Sequence, residues 1–406
     1  MGGLRALMVA SKLGGTTLTT FGDHASMKKV ANMLGLSYTK SILPEYMKQL
    51  KQGATRDEAL RFGLGINEMA GSMTRFGDAD IVSSATKSGR FNARMQAFAA
   101  TTMKLSGLNA VTAGAKRAFN LVHMNKLAEM TRKTDWKDLG ADDLKILQGN
   151  GITERDWQLW QQLEPSKRED GTAVLTQNDF FKASDDVIKQ FLPLDKQDSA
   201  NAIADFRYKA AMKYQTHIFN EESVAIIEAG VRERSIINLG EAGTIQGELG
   251  RTLFQFKGFP LAYMFRIGHR AFAQGDIKSR VTFLASLLAY QTLAGALIVQ
   301  TQNLANGKNP EPVFTIDFFG KSLLKGGGLS FLGDIMSALS DPTGRSASDF
   351  ISGPLLGQSM KLGMLLTGMG NNIIEGKEST RMMEVANTLK SNIPLQNLWY
   401  SKLIVD

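Results

Sequence analysis

The sequence predicts an all-α protein, an extended multi-helix assembly of many short, glycine-punctuated helices. Three observations carry that expectation. Ala, Leu, Met, Lys and Arg dominate most of the chain while β-branched alternation is scarce. Short apolar patterns recur at helical spacing, with glycines between them. Several of these stretches begin with a Thr followed three residues later by an acid, the signature of a capped helix N-terminus. Among the 406 residues, 40 glycines lower helix propensity and 19 methionines supply apolar surface that repacks readily. The combination suits a chain that changes its packing.

Composition divides the chain into four segments. Residues 1–133 form a basic helical region, with a local excess of about +11. Amphipathic patterns cover Leu4–Leu13, Met27–Leu34, Tyr46–Gln52 and Arg56–Met69. Thr55 is placed to cap the last of these, with Asp57 and Glu58 in its first turn, where the helix dipole favours carboxylates. A longer helix is expected from about Ser88 to Met130, with Gly107 and Gly114 as candidate bends.

Residues 134–198 read as a solvated, acidic helical insert, with a net excess of acid and three of the four tryptophans, Trp136, Trp157 and Trp160. Thr153 with Asp156, and Thr176 with Asp179, mark helix starts. The stretch from Glu164-Pro165 to Gly171 reads as a charged loop.

Residues 199–280 form a third helical region. A helix from Ser199 to Val231 is followed by an aromatic, basic segment in which Glu248–Phe259 is helical and Pro260 ends, kinks or restarts the helix. Phe254, Phe256 and Phe259 lie among basic residues, and Arg266, His269 and Arg270 fall on one helical face, so Phe254, Phe256, Phe259, Arg266 and Arg270 are expected to contact a membrane at the headgroup level. Lys278 and Arg280 then lead into residues 281–406, an apolar Gly/Met-rich helical region.

No charged residue occurs from Val281 until Lys308. Val281–Gln302 as a helix is about 33 Å long, enough for a hydrocarbon core of about 30 Å. Lys278 and Arg280 would anchor one end at lipid phosphates. Leu284, Leu288, Leu293 and Ile298 are the expected membrane-contacting side chains. Thr282, Ser286, Gln291, Thr292 and Gln300 moderate the hydrophobicity, so a conditional span is expected and not a permanent one. Ala285, Ala289 and Gly295 offer small surfaces for close helix packing.

Other chemistry finds little support. The absence of cysteine excludes disulfides, thiolate catalysis and Cys-ligated metals. The four histidines have no paired spacing, and no calcium-loop pattern occurs. No metal, cofactor or catalytic residue is therefore expected. The one enzymatic alternative is a lytic transglycosylase with Glu222, followed by Ser223, as its general acid. The glycine-rich cleft motif expected after such a pair is missing.

Four runs, Lys12-Leu13-Gly14-Gly15, Asn150–Trp157 (NGITERDW), Gly247–Pro260 (GELGRTLFQFKGFP) and Asn392–Tyr400 (NIPLQNLWY), together resemble the C-terminal region of large internal virion proteins of tailed bacteriophages. That region is also classed as a large polyvalent-protein-associated domain. The runs follow in the expected order over nearly the whole chain. The resemblance implies a protein stored in the virion near the portal, in contact with itself, with other ejection proteins and with phage DNA. On ejection it would reach the host envelope and help to build a conduit for the genome. Larger members carry a lytic transglycosylase domain upstream; with Met1 close to the first shared run, that domain is not expected here. The resemblance brings no catalytic residues. A helical DNA-binding protein of the capsid interior, without a membrane role, is the competing non-enzymatic reading, motivated by the basic first segment.

Overall fold

The computed structural model of the chain describes residues 16–51, 53–64, 87–228, 258–272 and 276–326, together with a few positions between 233 and 251 and Leu398. Over these residues the protein is all-α, as its composition predicts. A 3₁₀ turn at Thr16–Thr20 leads into α1 (Phe21–Met33), and a single π turn at Tyr38–Ile42 leads into α2 (Leu43–Lys51), followed by α3 (Gly53–Arg61). Next come α4 (Lys87–Leu105), α5 (Leu108–Lys133), α6 (Ala141–Gly149) and α7 (Glu154–Gln162). A small antiparallel pair, β1 (Ser166–Lys167) and β2 (Ala173–Val174), precedes α8 (Gln177–Lys182), α9 (Asp185–Lys189) and α10 (Ala200–Ala225). The last three described helices are α11 (Gly258–Phe272), α12 (Ile277–Ala305) and α13 (Ile316–Lys325). The expected helix at Leu4–Leu13 and the tail beyond residue 326 lie outside the described residues.

The chain forms two compact units, each discontinuous in sequence. One comprises Ser26–Ala70 and Thr112–Ile226, the other Met1–Ala25, Gly71–Val111 and Ile227–Asp406. Composition segments the chain linearly, whereas these units gather pieces from several of the four segments.

The first unit is organised around tryptophan. Trp157 and Trp160 on α7 are fully buried with Phe180, Ile188, Tyr214 and Ile218. Trp160 meets Tyr214 edge-on with ring centroids 5.1 Å apart, and the Tyr214 hydroxyl donates to the Leu175 carbonyl. The 134–198 segment is thus not a solvated insert. Its acids lie mostly outside, while its apolar side chains supply much of the core. Both predicted helix starts are present. The Thr153 N–H and hydroxyl donate to Asp156 at 2.8 and 2.6 Å, and those of Thr176 donate to Asp179 at 2.8 and 2.9 Å. The expected charged loop is the tight turn of the β1–β2 hairpin, with Gly171 at φ +82° closing onto the Arg168 carbonyl.

Arg168, at the end of β1, ties that hairpin to α2 and α3. Its guanidinium donates to Glu45 at 2.9 and 3.2 Å and to Glu58 at 3.0 and 3.1 Å, with all three side chains buried. Gln49 donates to Glu45 at 2.9 Å and accepts from Arg117 of α5 at 2.9 Å, extending the network. Burial alone would push the Arg168 guanidinium down, but the hydrogen bonds to Glu45 and Glu58 outweigh it and hold the group above its ordinary value. This corrects the expected role of Glu58. The helix starts at Gly53, so Thr55 is inside it and is not its cap, and Glu58 serves Arg168 and the Glu169 N–H (2.9 Å) instead.

The expected helix over 88–130 is two helices. Gly107 adopts φ +77°, a conformation that side-chain-bearing residues resist, and the chain restarts at Leu108, whose N–H is accepted by Ser106 Oγ at 3.3 Å. Gly114 does not bend α5. A Cβ there would lie 3.2 Å from Leu50, so this glycine lets α2 pack close.

Candidate membrane-facing hairpin

Pro260 lies in the first turn of α11, where its missing N–H would have no intrahelical partner. Ala262, Ile267 and Ala271 of α11 are buried. Arg266 of α11 approaches Glu233 at 3.7 Å, and His269 is exposed. The Arg280 guanidinium lies 5.9 Å from the centre of the exposed Phe272 ring. Asp276 caps α12, accepting the Ser279 N–H at 3.1 Å, and the Ser279 hydroxyl together with this N–H holds its carboxyl below the usual range.

α12 is the one helix among the described residues long and apolar enough to cross a membrane, and 33% of its most apolar 18-residue window is buried. Its buried side carries Phe283, Leu287, Gln291, Ala294, Gly295 and Ile298. The opposite side is also apolar: Ala285, Ala289, Leu293 and Leu297 follow at every fourth position and are all exposed, Leu293 at 65% and Leu297 at 62%. A water-soluble surface helix ordinarily turns charge outward. This one does not.

Of the polar residues that interrupt the run, Ser286, Gln291, Thr292 and Gln300 are bonded within the protein. Ser286 donates to Phe283 O at 2.9 Å, Thr292 to Leu288 O at 2.8 Å and Thr301 to Leu297 O at 2.7 Å. The buried Gln291 amide donates to the Tyr263 hydroxyl of α11, whose own ionisation burial pushes upward. These groups therefore bring a smaller desolvation cost into an apolar medium than composition alone suggests.

α13 returns antiparallel along α12. A methyl group placed on Gly295 would lie 1.8 Å from the Ser322 carbonyl oxygen, and one placed on Gly326 would lie 1.8 Å from the Gln291 carbonyl oxygen. The two backbones touch, which only glycine permits. Of the three small residues expected at a helix contact, Gly295 makes it, while Ala285 and Ala289 face outward.

Glu311 knits the turn between the two helices. Its N–H donates to Gln300 Oε1 at 2.9 Å and its carbonyl accepts from Gln300 Nε2 at 2.7 Å. Its carboxylate accepts from Lys321 at 2.9 Å and Asn303 at 3.1 Å; these bonds, with Lys321 foremost, lower its pKa and raise that of Lys321. Beyond Glu311 the turn exposes Val313, Phe314, Ile316 and Phe319, with Phe314 at 101% and Ile316 at 94%.

The predicted contact residues are therefore distributed unevenly. Lys278, Leu284 and Leu293 are exposed; Arg270, Arg280 and Leu288 are half-buried. Leu284 and Leu288 lie to one side of the Leu293 stripe. Ile298 is wholly buried on the packed side of α12 and is not part of the outward surface. Phe259 falls in the first turn of α11, and Phe254 and Phe256 lie outside the described residues. Sequence reasoning missed Leu297. The turn at Asn306–Pro312 and the largely apolar stretch that starts at Phe314 are legible in the sequence, as a segment able to lie on a membrane surface or line an oligomer interface.

Glu222, the alternative catalytic acid, is buried on α10. Its carboxylate lies 3.4 Å from Lys116 Nζ and accepts from the Asn120 amide of α5. Nearby, His123 and His217 meet edge-on with ring centroids 5.2 Å apart. Among the described residues no group of three or more His, Asp or Glu is arranged to hold a metal ion. No family model, curated protein or solved structure matches the chain.

Proposed function

We propose that this chain is an internal virion protein of a tailed bacteriophage, stored near the portal and ejected to help form a conduit for genome delivery across the host envelope. It acts by assembly and membrane contact and not as an enzyme. Its partners are further copies of itself in a ring or tube, the portal and other ejection proteins, phage DNA, and the host membrane after ejection. The four ordered sequence runs support the virion assignment. The observation that carries the mechanism is α12, apolar on both sides, with its outer stripe in water and the hydroxyls of Ser286, Thr292 and Thr301 bonded to its own backbone. In a virion that stripe meets a neighbouring copy; after release it meets lipid.

Flotation of the purified chain with phospholipid vesicles tests the membrane step. The wild type is expected to float. Leu293→Asp places a carboxylate where lipid contact is expected, at about 3 kcal/mol, so its partitioning is expected to fall by roughly 100-fold. Because Leu293 is exposed, the variant should stay folded. Leu194→Asp, at an exposed leucine in the other unit, is the matched control and should float like the wild type. Equal flotation of Leu293→Asp and wild type would contradict lipid contact by this stripe.

A further inference from the structure

We infer that the turn between α12 and α13 is a docking tip, which carries Val313, Phe314, Ile316 and Phe319 shallowly into an anionic lipid surface. This inference rests on the membrane contact proposed above and adds which part of the chain arrives first.

Three observations carry it. The side chains at the turn are large, apolar and exposed, Phe314 and Ile316 almost fully, and they continue the exposed apolar side of α12 through Leu304. Isolated exposed leucines are ordinary; a contiguous patch at the end of a rigid hairpin is not. Second, several polar groups of the turn are bonded internally. Gln300 binds both backbone groups of Glu311, Asn303 O accepts the Lys308 N–H at 2.8 Å, and Thr315 Oγ1 accepts the Phe318 N–H at 3.2 Å. These bonds lower the cost of bringing the turn to an interface, and a shallow position keeps the backbone of Val313–Ile316 within reach of water.

Third, the charges near the tip fix the depth and favour an anionic surface. Lys308, Lys321 and Lys325 surround it, against Glu311, which is bonded to Lys321, and Asp317 in the first turn of α13. All of α13 lies within about 15 Å of the tip along its axis. Charged groups at the bilayer centre are strongly disfavoured, so the lysines stop at the phosphates while the rings enter the acyl boundary, roughly 5–10 Å deep.

The chain has no cysteine, so one introduced at the tip reports a single site. Phe314→Cys in the full chain, labelled with an environment-sensitive fluorophore, is to be mixed with phosphatidylcholine vesicles with and without phosphatidylglycerol. The expected result is a blue shift on the anionic vesicles, with partitioning about tenfold stronger than on neutral ones, and an about tenfold loss of partitioning in unlabelled Phe314→Asp. The inference is overturned if vesicles float the labelled chain while the label stays in water. That outcome leaves the lipid contact of α12 standing. If the chain does not float at all, both ideas fail. A blue shift without vesicles that grows with protein concentration would assign the tip to a second copy of this chain and overturn the lipid assignment.

Discussion

Replacing Arg168 with methionine is expected to lower the stability of the tryptophan-containing unit by about 3–5 kcal/mol. Methionine removes the cation but leaves Glu45 and Glu58 buried, and the hairpin loses the four Arg168 bonds to α2 and α3 while keeping the Glu169 N–H bond to Glu58. An uncompensated buried charge is more damaging than the loss of the pair itself. Arg168→Lys should fall between, since one ammonium cannot reproduce the four hydrogen bonds of the guanidinium. Three of the four tryptophans lie in this unit, so the denaturant midpoint of tryptophan fluorescence mainly reports it.

A midpoint unchanged at neutral pH would mean that the network is dispensable.

The second large effect is expected at Gly295. Alanine would put a methyl group 1.8 Å from the Ser322 carbonyl oxygen, which belongs to backbone and has no flexible end to swing aside. The helices must separate, at a cost at or above the upper end of the ~1–3 kcal/mol typical of overpacking. Amide exchange over α13 in Gly295→Ala is expected to speed up by roughly 100-fold. Separation also uncovers Ile298 of α12 and Phe318 of α13, so vesicle flotation should rise while the tryptophan-containing unit keeps its midpoint. Unchanged protection of α13 would contradict the close backbone contact. Together with Leu293→Asp, which is expected to weaken lipid binding, this substitution separates the two sides of α12 by the sign of their effects.

How much of this was legible in the sequence depends on the range of the interactions. Local signals were readable: the Thr153/Asp156 and Thr176/Asp179 caps and the break near Gly107 all arise from residues within a turn of one another. Contacts between distant segments were not. Glu58 and Arg168 are 110 residues apart, so Glu58 read as a helix-dipole partner, and nothing local marked it as half of a buried ion pair. The same limit hid the core role of Trp157 and Trp160, whose acidic neighbours dominated the composition. For α12, the uncharged run made the helix and its length evident, but an all-round apolar helix gives no periodic clue to which side is packed. Ile298 and Leu293 look alike in sequence; only the position of α13 separates them. Gly114 and Gly107 likewise differ by what packs against them, not by their identity.

The claim that joins these parts is that the chain is stored as an oligomer at the portal and leaves with the genome. A symmetry-averaged reconstruction of the portal vertex, in filled and in emptied particles that carry this chain, tests it most directly. The expected result is a ring of helical density inside the filled capsid, with the α12–α13 hairpin repeated around the axis and its outer stripe covered by the neighbouring copy, and loss of that ring after ejection. A chain found elsewhere in the particle, or a ring that persists in emptied particles, would contradict the claim.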